Sequence, residues 1–251
     1  MVSSTPPPNS TTLSEHQHRI DCCRGIICFE EVARNFGTRS SNQLEVLIDD
    51  FVPSIDVDGR KIWPGKYRKW LSGTAPSSAT LSKVDQKTGG KSQLSHWRKL
   101  ILWNLIEEPV AWDLTVISHF TMYLQEPART LARRVVSPDS LGRYLSTEIV
   151  LEVMLELRDL YTLDAFMALL LLAREAKLIK SEQRFVLATT SAFEVFPRVV
   201  MAHVHLQVCW ERLYRCVEFA FWSRVYLEDD TSPFSIEIVR RQMAVKREIP
   251  R

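Results

Sequence analysis

The chain has 251 residues, 45% of them apolar and 25% charged, and its net charge is only +2. This is ordinary globular composition, so most of the chain should bury a core in one or two domains. The apolar run at residues 166–173 is far shorter than the roughly 20 residues of a membrane-spanning helix, and the first residues lack the apolar stretch of a secretory signal. These features argue against membrane-spanning and secreted classes and predict a soluble, cytoplasmic protein.

The N-terminal third is predicted to begin with a tail and two short helices. Residues 1–20 are rich in Ser, Thr and Pro and offer little to bury, so we expect a disordered tail. The spacing over 26–36 predicts a short helix that ends at Gly37. Asn42 is a candidate N-cap for a helix over 43–51.

The stretch from residue 60 to residue 99 is the most unusual feature of the sequence. It holds ten Lys or Arg and one acid, Asp85, a local charge of +9, so the rest of the chain sums to −7. Basic surfaces of this kind commonly meet phosphate, and the stretch is therefore predicted to bind nucleic acid. The same stretch contains four large aromatic residues: Trp63, Tyr67, Trp70 and Trp97. Their presence predicts a folded element and not a basic tail.

A short amphipathic helix is predicted between Pro64, which can open a helix at its first turn, and Gly73, which can end one. Residues three and four apart form its apolar side: Tyr67, Trp70 and Leu71. The other side is basic: Lys66, Arg68 and Lys69.

The residues that follow this helix keep a recognisable order: Trp70, Gly73, Pro76, Ser77, Thr80 and Leu81. In the Cro/CI-type helix-turn-helix family, a recognition helix ends in an aromatic residue and a glycine, and a Pro-Ser turn leads into a helix containing Thr-Leu. Residues 64–90 therefore resemble the second half of that DNA-binding fold. The connection over 53–64 departs from the family, because it is longer than the expected tight turn, as in winged variants.

The resemblance implies that Lys66, Arg68 and Lys69 face DNA while Tyr67 packs inward. Arg and Lys side chains in that position reach either guanine or phosphate, and the sequence does not choose between them. The candidate DNA-binding residues are Arg60, Lys61, Lys66, Arg68, Lys69, Lys83 and Lys87.

The rest of the chain is predicted to be helical. Ser77 or Ser78 can cap a helix that ends at Gly89. One strong helix should then start at Ser92 or Ser95 and end at Pro109. Apolar stripes predict further helices over 149–160, 164–180 and 236–246. A single unbroken helix is expected over 197–227, roughly 45 Å long at 1.5 Å per residue.

The cysteines and histidines do not form a standard metal or disulfide pattern. Five cysteines are an odd number, and Cys209 and Cys216 have the spacing of small core residues on one helix face. The N-terminal group fits no standard zinc spacing: His16, His18, Cys22, Cys23 and Cys28. No metal and no cofactor are expected, and the phosphate-binding and catalytic motifs of common enzymes are absent from the sequence.

The sequence as a whole predicts an all-α protein with a disordered tail (1–20), a basic helix-turn-helix-like domain (21–108) and a larger helical domain (109–251). The expected function is that of a DNA-binding transcriptional regulator, not an enzyme, whose second domain dimerises or senses a signal. The homodimer is expected because apolar residues occur on several sides of the helix after Pro197. Two alternatives to this function remain: a solvated basic surface, or a helical interaction protein whose basic face docks an acidic partner.

Overall fold

The computed structural model describes residues 10–107, 112–136, 145–225 and 234–245. This part of the chain is 73% helical and has almost no strand, which confirms the predicted all-α class. The helices are α1 (Ser10–Asn35), α2 (Ser41–Asp49), α3 (Lys66–Trp70), α4 (Ser78–Thr88), α5 (Leu94–Lys99), α6 (Leu102–Ile106), α7 (Leu114–Thr121), α8 (Ala128–Val136), α9 (Thr147–Leu160), α10 (Leu163–Leu178), α11 (Glu182–Ala202), α12 (Val204–Gln207), α13 (Trp210–Ala220) and α14 (Ile236–Val245). A 3-10 turn over Trp222–Arg224 follows α13.

The strands are limited to one small hairpin in the described residues. Strands β1 (Ser54–Ile55) and β2 (Lys61–Ile62) pair antiparallel, with Ser54 opposite Ile62. The hairpin connects α2 to α3 and lies within the long connection over residues 53–64.

The first helix begins earlier than expected. Residues 10–20 were predicted to belong to a disordered tail, but they are the first turns of α1. Ile20 and His16 are buried, His16 Nε2 lies 2.7 Å from the carbonyl oxygen of Ile106, and its ring stacks on Phe219. These contacts of His16 could not be predicted from the sequence of the tail, because their partners lie about 90 and 200 residues away. The expected tail residues 1–9 lie outside the described part.

Two separate cores share α1. Ile20, Cys23 and Ile27 belong to the larger core, which is otherwise built by α5 to α14. The second half of α1 belongs to a smaller core with α2, α3, α4 and the start of α5. The smaller core consists of Cys28, Phe29, Val32, Ala33, Leu44, Ile48, Tyr67, Trp70, Leu81, Val84 and Leu94. We call residues 28–99, which surround this core, the basic module.

The larger core is centred on α10, which is buried from Leu163 to Ala176 almost without interruption. It packs chiefly against α11, with α8 and α9 on its other sides. The α11 helix has the length and hydropathy of a membrane span, yet 61% of that stretch is buried inside this bundle, as expected of a core helix.

Two predicted long helices are broken. The helix expected over 92–109 is divided at Leu100, whose ψ of 128° is extended, into α5 and α6. The indole Nε1 of Trp103 donates to the carbonyl oxygen of Trp97 at 2.8 Å and so satisfies a group that the break leaves without a helical partner.

The prediction of a single helix over 197–227 is likewise wrong. The helix starts inside α11, ends at the extended residue His203, and resumes as α12 and α13. Leu206 and Cys209 come after the break and are still buried in the core, so the apolar spacing of the sequence continues through it. The break turns α13 away from α11 so that it packs against α1.

Other local predictions agree with the structure. Ser77 caps α4 by accepting from the Thr80 amide, and Gly89 ends that helix in the left-handed region with φ of 61°. The last predicted helix is α14. The start of α2 differs slightly, because Ser40 and not Asn42 is the N-cap.

Candidate nucleic-acid interface

The α3 helix, which carries the predicted recognition residues, is held from below by α1. Tyr67 and Trp70 are buried and meet edge to face, with ring centroids 4.8 Å apart. Gly25 of α1 lies directly under them, since a Cβ atom there would stand 1.8 Å from the carbonyl oxygen of Trp70. Only glycine permits this approach of the two backbones. Tyr67 packs inward, as the helix-turn-helix resemblance implies.

The N-terminus of α3 is capped by a side chain from another helix. Gly65 precedes α3 in the left-handed region, with φ of 67°, and supplies no capping side chain. Oε1 of the buried Glu45 in α2 accepts from the Lys66 amide at 2.6 Å instead. A carboxylate at a helix N-terminus is favourable because it meets free amides and the positive end of the helix dipole.

Asp49, at the end of α2, gathers two of the predicted DNA-binding lysines. Lys66 Nζ lies 2.9 Å from both of its carboxylate oxygens, and Lys83 Nζ lies 3.1 Å from Oδ1. The Tyr67 hydroxyl donates to Oδ2 at 3.1 Å. Burial tends to raise the pKa of Asp49, but the hydrogen bonds from Lys66 and Lys83 outweigh burial, so its pKa is lowered. The carboxylate is thus held ionised between two cations.

Lys87 is paired in the same way with the neighbouring acid. Its Nζ lies 2.8 Å from Oδ1 of Asp50, the left-handed residue that ends α2. Three of the seven predicted residues, Lys66, Lys83 and Lys87, therefore join α3 and α4 to the end of α2. Two carboxylates of the same module, Asp49 and Asp50, are thus shared among these three lysines.

The other four predicted residues are exposed: Arg60, Lys61, Arg68 and Lys69. Arg60 and Lys61 lie on the hairpin, and Arg68 and Lys69 lie on the outer side of α3. In the described part of the chain, no carboxylate forms an ion pair with any of them.

The hairpin holds its two cations on an ordered turn. Oδ1 of Asp56 accepts from the amides of Asp58 and Arg60 at 2.9 and 2.7 Å, and Gly59 has φ of 77°. An Asp side chain that bonds to amides further along the chain is a common turn-stabilising arrangement.

Apolar side chains are exposed on the same hairpin: Val52, Ile55, Val57 and Ile62. Val57 is fully exposed at the tip, and Ile55 is 68% exposed. Ile55 and Ile62 lie on opposite faces of the hairpin, because their cross-strand partners are Lys61 and Ser54.

The net charge of the folded module is lower than that of the basic stretch alone. Residues 28–99 hold twelve Lys or Arg and eight Asp or Glu, a net charge of +4 compared with +9 for residues 60–99. Acids that precede the stretch in sequence fold against it. Asp49, Asp50 and Glu45 are the functional neighbours that sequence reasoning missed, because they lie 17 to 37 residues before the groups they bind.

The histidines and cysteines near the N-terminus, which fit no standard zinc spacing in the sequence, do not come together in the structure. His16 points into the larger core, Cys28 belongs to the smaller core, and His18 lies 3.6 Å from Cys22 one turn along α1. No group of three or more His, Cys, Asp or Glu that could hold a metal ion occurs among the described residues. All five cysteines are buried free thiols.

By its fold and this surface, the chain is an all-α protein in which a small basic module is joined to a larger helical bundle. No family model, curated protein or solved structure matches the chain. The resemblance of residues 64–90 to the Cro/CI-type fold therefore rests on the residues alone. In the structure α3 is only five residues long, and the hairpin separates it from α2.

Proposed function

We propose that this protein binds duplex DNA and acts as a transcriptional regulator, with the hairpin and α3 as its contact surface. The observation that carries the proposal is a set of four exposed cations within ten residues of sequence that form no ion pair with the described residues: Arg60, Lys61, Arg68 and Lys69. Unpaired Lys and Arg side chains release the counterions of DNA when they reach phosphates, and this supplies most of the non-specific affinity.

The lysines that contact Asp49 and Asp50 have a supporting role in this proposal. Lys66, Lys83 and Lys87 hold α2, α3 and α4 together, and their carboxylate partners compete with phosphate for them. Of the seven predicted DNA-binding residues, four are therefore proposed to contact DNA directly: Arg60, Lys61, Arg68 and Lys69.

Two double variants with the same charge change test the proposal. Arg68→Ala with Lys69→Ala removes two unpaired cations, whereas Lys83→Ala with Lys87→Ala removes two paired ones. Electrophoretic shifts with a random duplex at several salt concentrations give the salt slope for each protein. Each lost phosphate contact lowers that slope by about 0.9, so the first variant should lose about 1.8 and the second should keep the wild-type slope.

Two results would defeat the proposal. A folded Arg68/Lys69 variant that shifts duplex as the wild type does shows that α3 is not a contact element. Equal losses in both variants show that binding follows overall charge and not the hairpin and α3.

A second candidate function is docking of an acidic protein partner. It is favoured by the exposed apolar residues Ile55 and Val57 beside Arg60 and Lys61, since protein interfaces combine apolar and charged contacts. The double variant Ile55→Ser with Val57→Ser should lose binding of a partner that docks on this surface. Such binding should also be selective for one partner, and random duplex should not compete with it.

We also propose that the protein is cytoplasmic and forms a homodimer through its C-terminal half. The apolar residues that motivate the dimer are partly covered within the chain: Trp222 is fully buried and Phe219 stacks on His16, while Val208 stays exposed. Light scattering that gives a single species of 29.0 kDa at micromolar concentration would overturn the dimer.

A further inference from the structure

A groove of about 770 Å³ lies where the basic module meets the larger bundle. The residues that end α3, Leu71 and Ser72, form one side, and α1, α13 and the start of α14 form the others. Its volume falls within the range of roughly 300–1,000 Å³ that is usual for small-molecule sites.

Four arginines line this groove: Arg19, Arg212, Arg215 and Arg240. The last two are neutralised locally, because Arg215 pairs with Glu218 at 2.7 Å and Arg240 pairs with Glu211 at 3.1 Å. Glu15 is the other acid in the lining. The groove therefore keeps an excess of positive charge.

Arg19 and Arg212 have no carboxylate partner among the described residues, and Arg19 is half-buried. Both arginines line the groove together with Cys22 of α1. Burial raises the pKa of the Cys22 thiol, and the positive charge of Arg212 acts in the opposite direction. A partly buried guanidinium without a counter-charge is unfavourable unless an anion reaches it.

We propose that this groove binds an organic phosphate, with Arg19 and Arg212 on the phosphate and Cys22, Leu71 and Ile236 against the apolar body of the ligand. Guanidinium groups recognise phosphate with two parallel hydrogen bonds, which are among the strongest in proteins. The apolar lining beside the arginines favours a ligand with a hydrophobic or planar part over a bare inorganic ion.

The site also touches the segment that carries the proposed DNA contacts. Leu71 and Ser72 lie two to four residues after Arg68 and Lys69, at the C-terminal end of α3, so a bound ligand contacts that end of the helix. Any effect of the ligand on DNA binding rests on the function proposed above, whereas binding of the ligand itself does not.

Calorimetric titration of the full chain tests the site without any nucleic acid. The probes are ADP, inorganic phosphate and adenosine at a fixed ionic strength without divalent cations. The test variants are Arg212→Gln alone, at an exposed position, and Arg19→Gln with Arg212→Gln. The matched control is Arg133→Gln with Arg241→Gln, two exposed arginines outside the groove that have no described carboxylate partner.

The expected result is that ADP binds more tightly than phosphate or adenosine and that the Arg19/Arg212 variant weakens ADP binding by at least about tenfold, the loss of one charge-assisted hydrogen bond or more. The Arg212 variant should show part of that loss and the control variant should bind as the wild type does. No ADP binding at millimolar concentration overturns the proposal. Equal affinity for adenosine and ADP, or equal losses in the control and groove variants, overturns it as well.

Discussion

The two cores of the molecule treat a buried carboxylate in opposite ways. Glu31 lies where the basic module meets α12, and both of its oxygens have polar neighbours. Oε1 accepts from the Gln93 amide at 2.6 Å and from Asn35 at 2.8 Å, and Oε2 lies 2.9 Å from His205 Nε2. Burial would raise the pKa of Glu31, but these contacts outweigh it and lower the pKa to about 2.

Glu175, in the middle of the larger bundle, has the opposite environment. It is buried, and neither oxygen accepts a hydrogen bond from the described residues. Burial raises its pKa to about 7, and Arg184, at 3.5 Å, only partly offsets this. The comparison teaches that donors aimed at a carboxylate, and not its depth, decide whether it stays ionised in the protein.

The two regions also differ in size. Among the residues that the structure describes, the smaller core has eleven buried apolar residues and the larger has fifty-three. Stability from apolar burial grows with the size of the core, so we expect the basic module to open locally while the bundle stays folded.

Truncation of the central tryptophan in each core should separate these two units, and this is the largest effect we expect. Trp222 is fully buried, and its indole donates to the Thr189 carbonyl at 3.1 Å. Trp222→Ala should lower the global free energy of unfolding by about 3–5 kcal/mol. Trp70→Ala should remove hydrogen-exchange protection over residues 28–99 and leave α10 and α11 protected. Equal loss of protection in both cores would show one cooperative unit.

Substitution of Glu31 should produce the clearest pH effect. Its folded pKa is below its ordinary value of 4.5, so its contribution to stability is complete above pH 4.5 and is lost as pH falls toward 2. Glu31→Gln should therefore cost about 2–3 kcal/mol at pH 7, with the difference from wild type shrinking in that acid window. Urea unfolding between pH 2 and pH 7 measures this, with the exposed Glu156→Gln as control. A difference that does not change with pH would refute the assignment.

A methyl group added at Gly25 should separate α1 from α3. The new Cβ would meet the Trp70 carbonyl oxygen at 1.8 Å, so Gly25→Ala should destabilise the basic module by about 1–3 kcal/mol. Gly59→Ala is the control for backbone strain alone, because its Cβ meets nothing within 4 Å although φ is 77°. Hydrogen exchange of α3 distinguishes the two, and equal effects would contradict the close approach.

Glu175 should show the reverse pH dependence. Its folded pKa is above its ordinary value of 4.5, so the folded state binds more protons than the unfolded state between pH 4.5 and 7, and stability falls as pH rises through that window. Glu175→Gln should remove that fall, which is about 2–3 kcal/mol for a pKa shift of this size. Thermal melts at pH 5 and pH 8 are the measurement, and an unchanged pH slope would contradict the prediction.

The smallest effect should come from the Lys87–Asp50 pair. Asp50 is largely exposed, and an exposed ion pair contributes only about 0–1 kcal/mol, so Lys87→Ala should change stability by less than about 0.5 kcal/mol. Lys66→Ala, which leaves the half-buried Asp49 with one cation fewer, should cost more. Chemical denaturation measures the stability lost in each variant. A larger loss for Lys87→Ala than for Lys66→Ala would contradict this prediction.

Short helices with clear end signals could be predicted from the sequence. Ser77 and Gly89 mark the ends of α4, and the apolar stripes of α9, α10 and α14 recur at helical spacing. Such signals are local, because a cap or a stripe depends on residues three or four apart. The four exposed cations of the candidate site could also be predicted, because an excess of charge is visible in the composition of the sequence.

The breaks at Leu100 and His203 and the anchoring of α1 could not be predicted. At each break the apolar spacing continues, and only the position of a distant partner shows that the chain must turn. His16 looks like part of a polar tail until the Ile106 carbonyl and the Phe219 ring surround it.

The sequence by itself determined the helical class, the local caps and the concentration of positive charge between residues 60 and 99. Only the tertiary structure decided which of those charges are available, because Asp49 and Asp50 reach Lys66, Lys83 and Lys87 from 17 to 37 residues away. It likewise brought Arg19 and Arg212 to one groove from opposite ends of the chain. Charge is a property of composition, but its pairing depends on distances of a few ångströms that only the packed chain establishes.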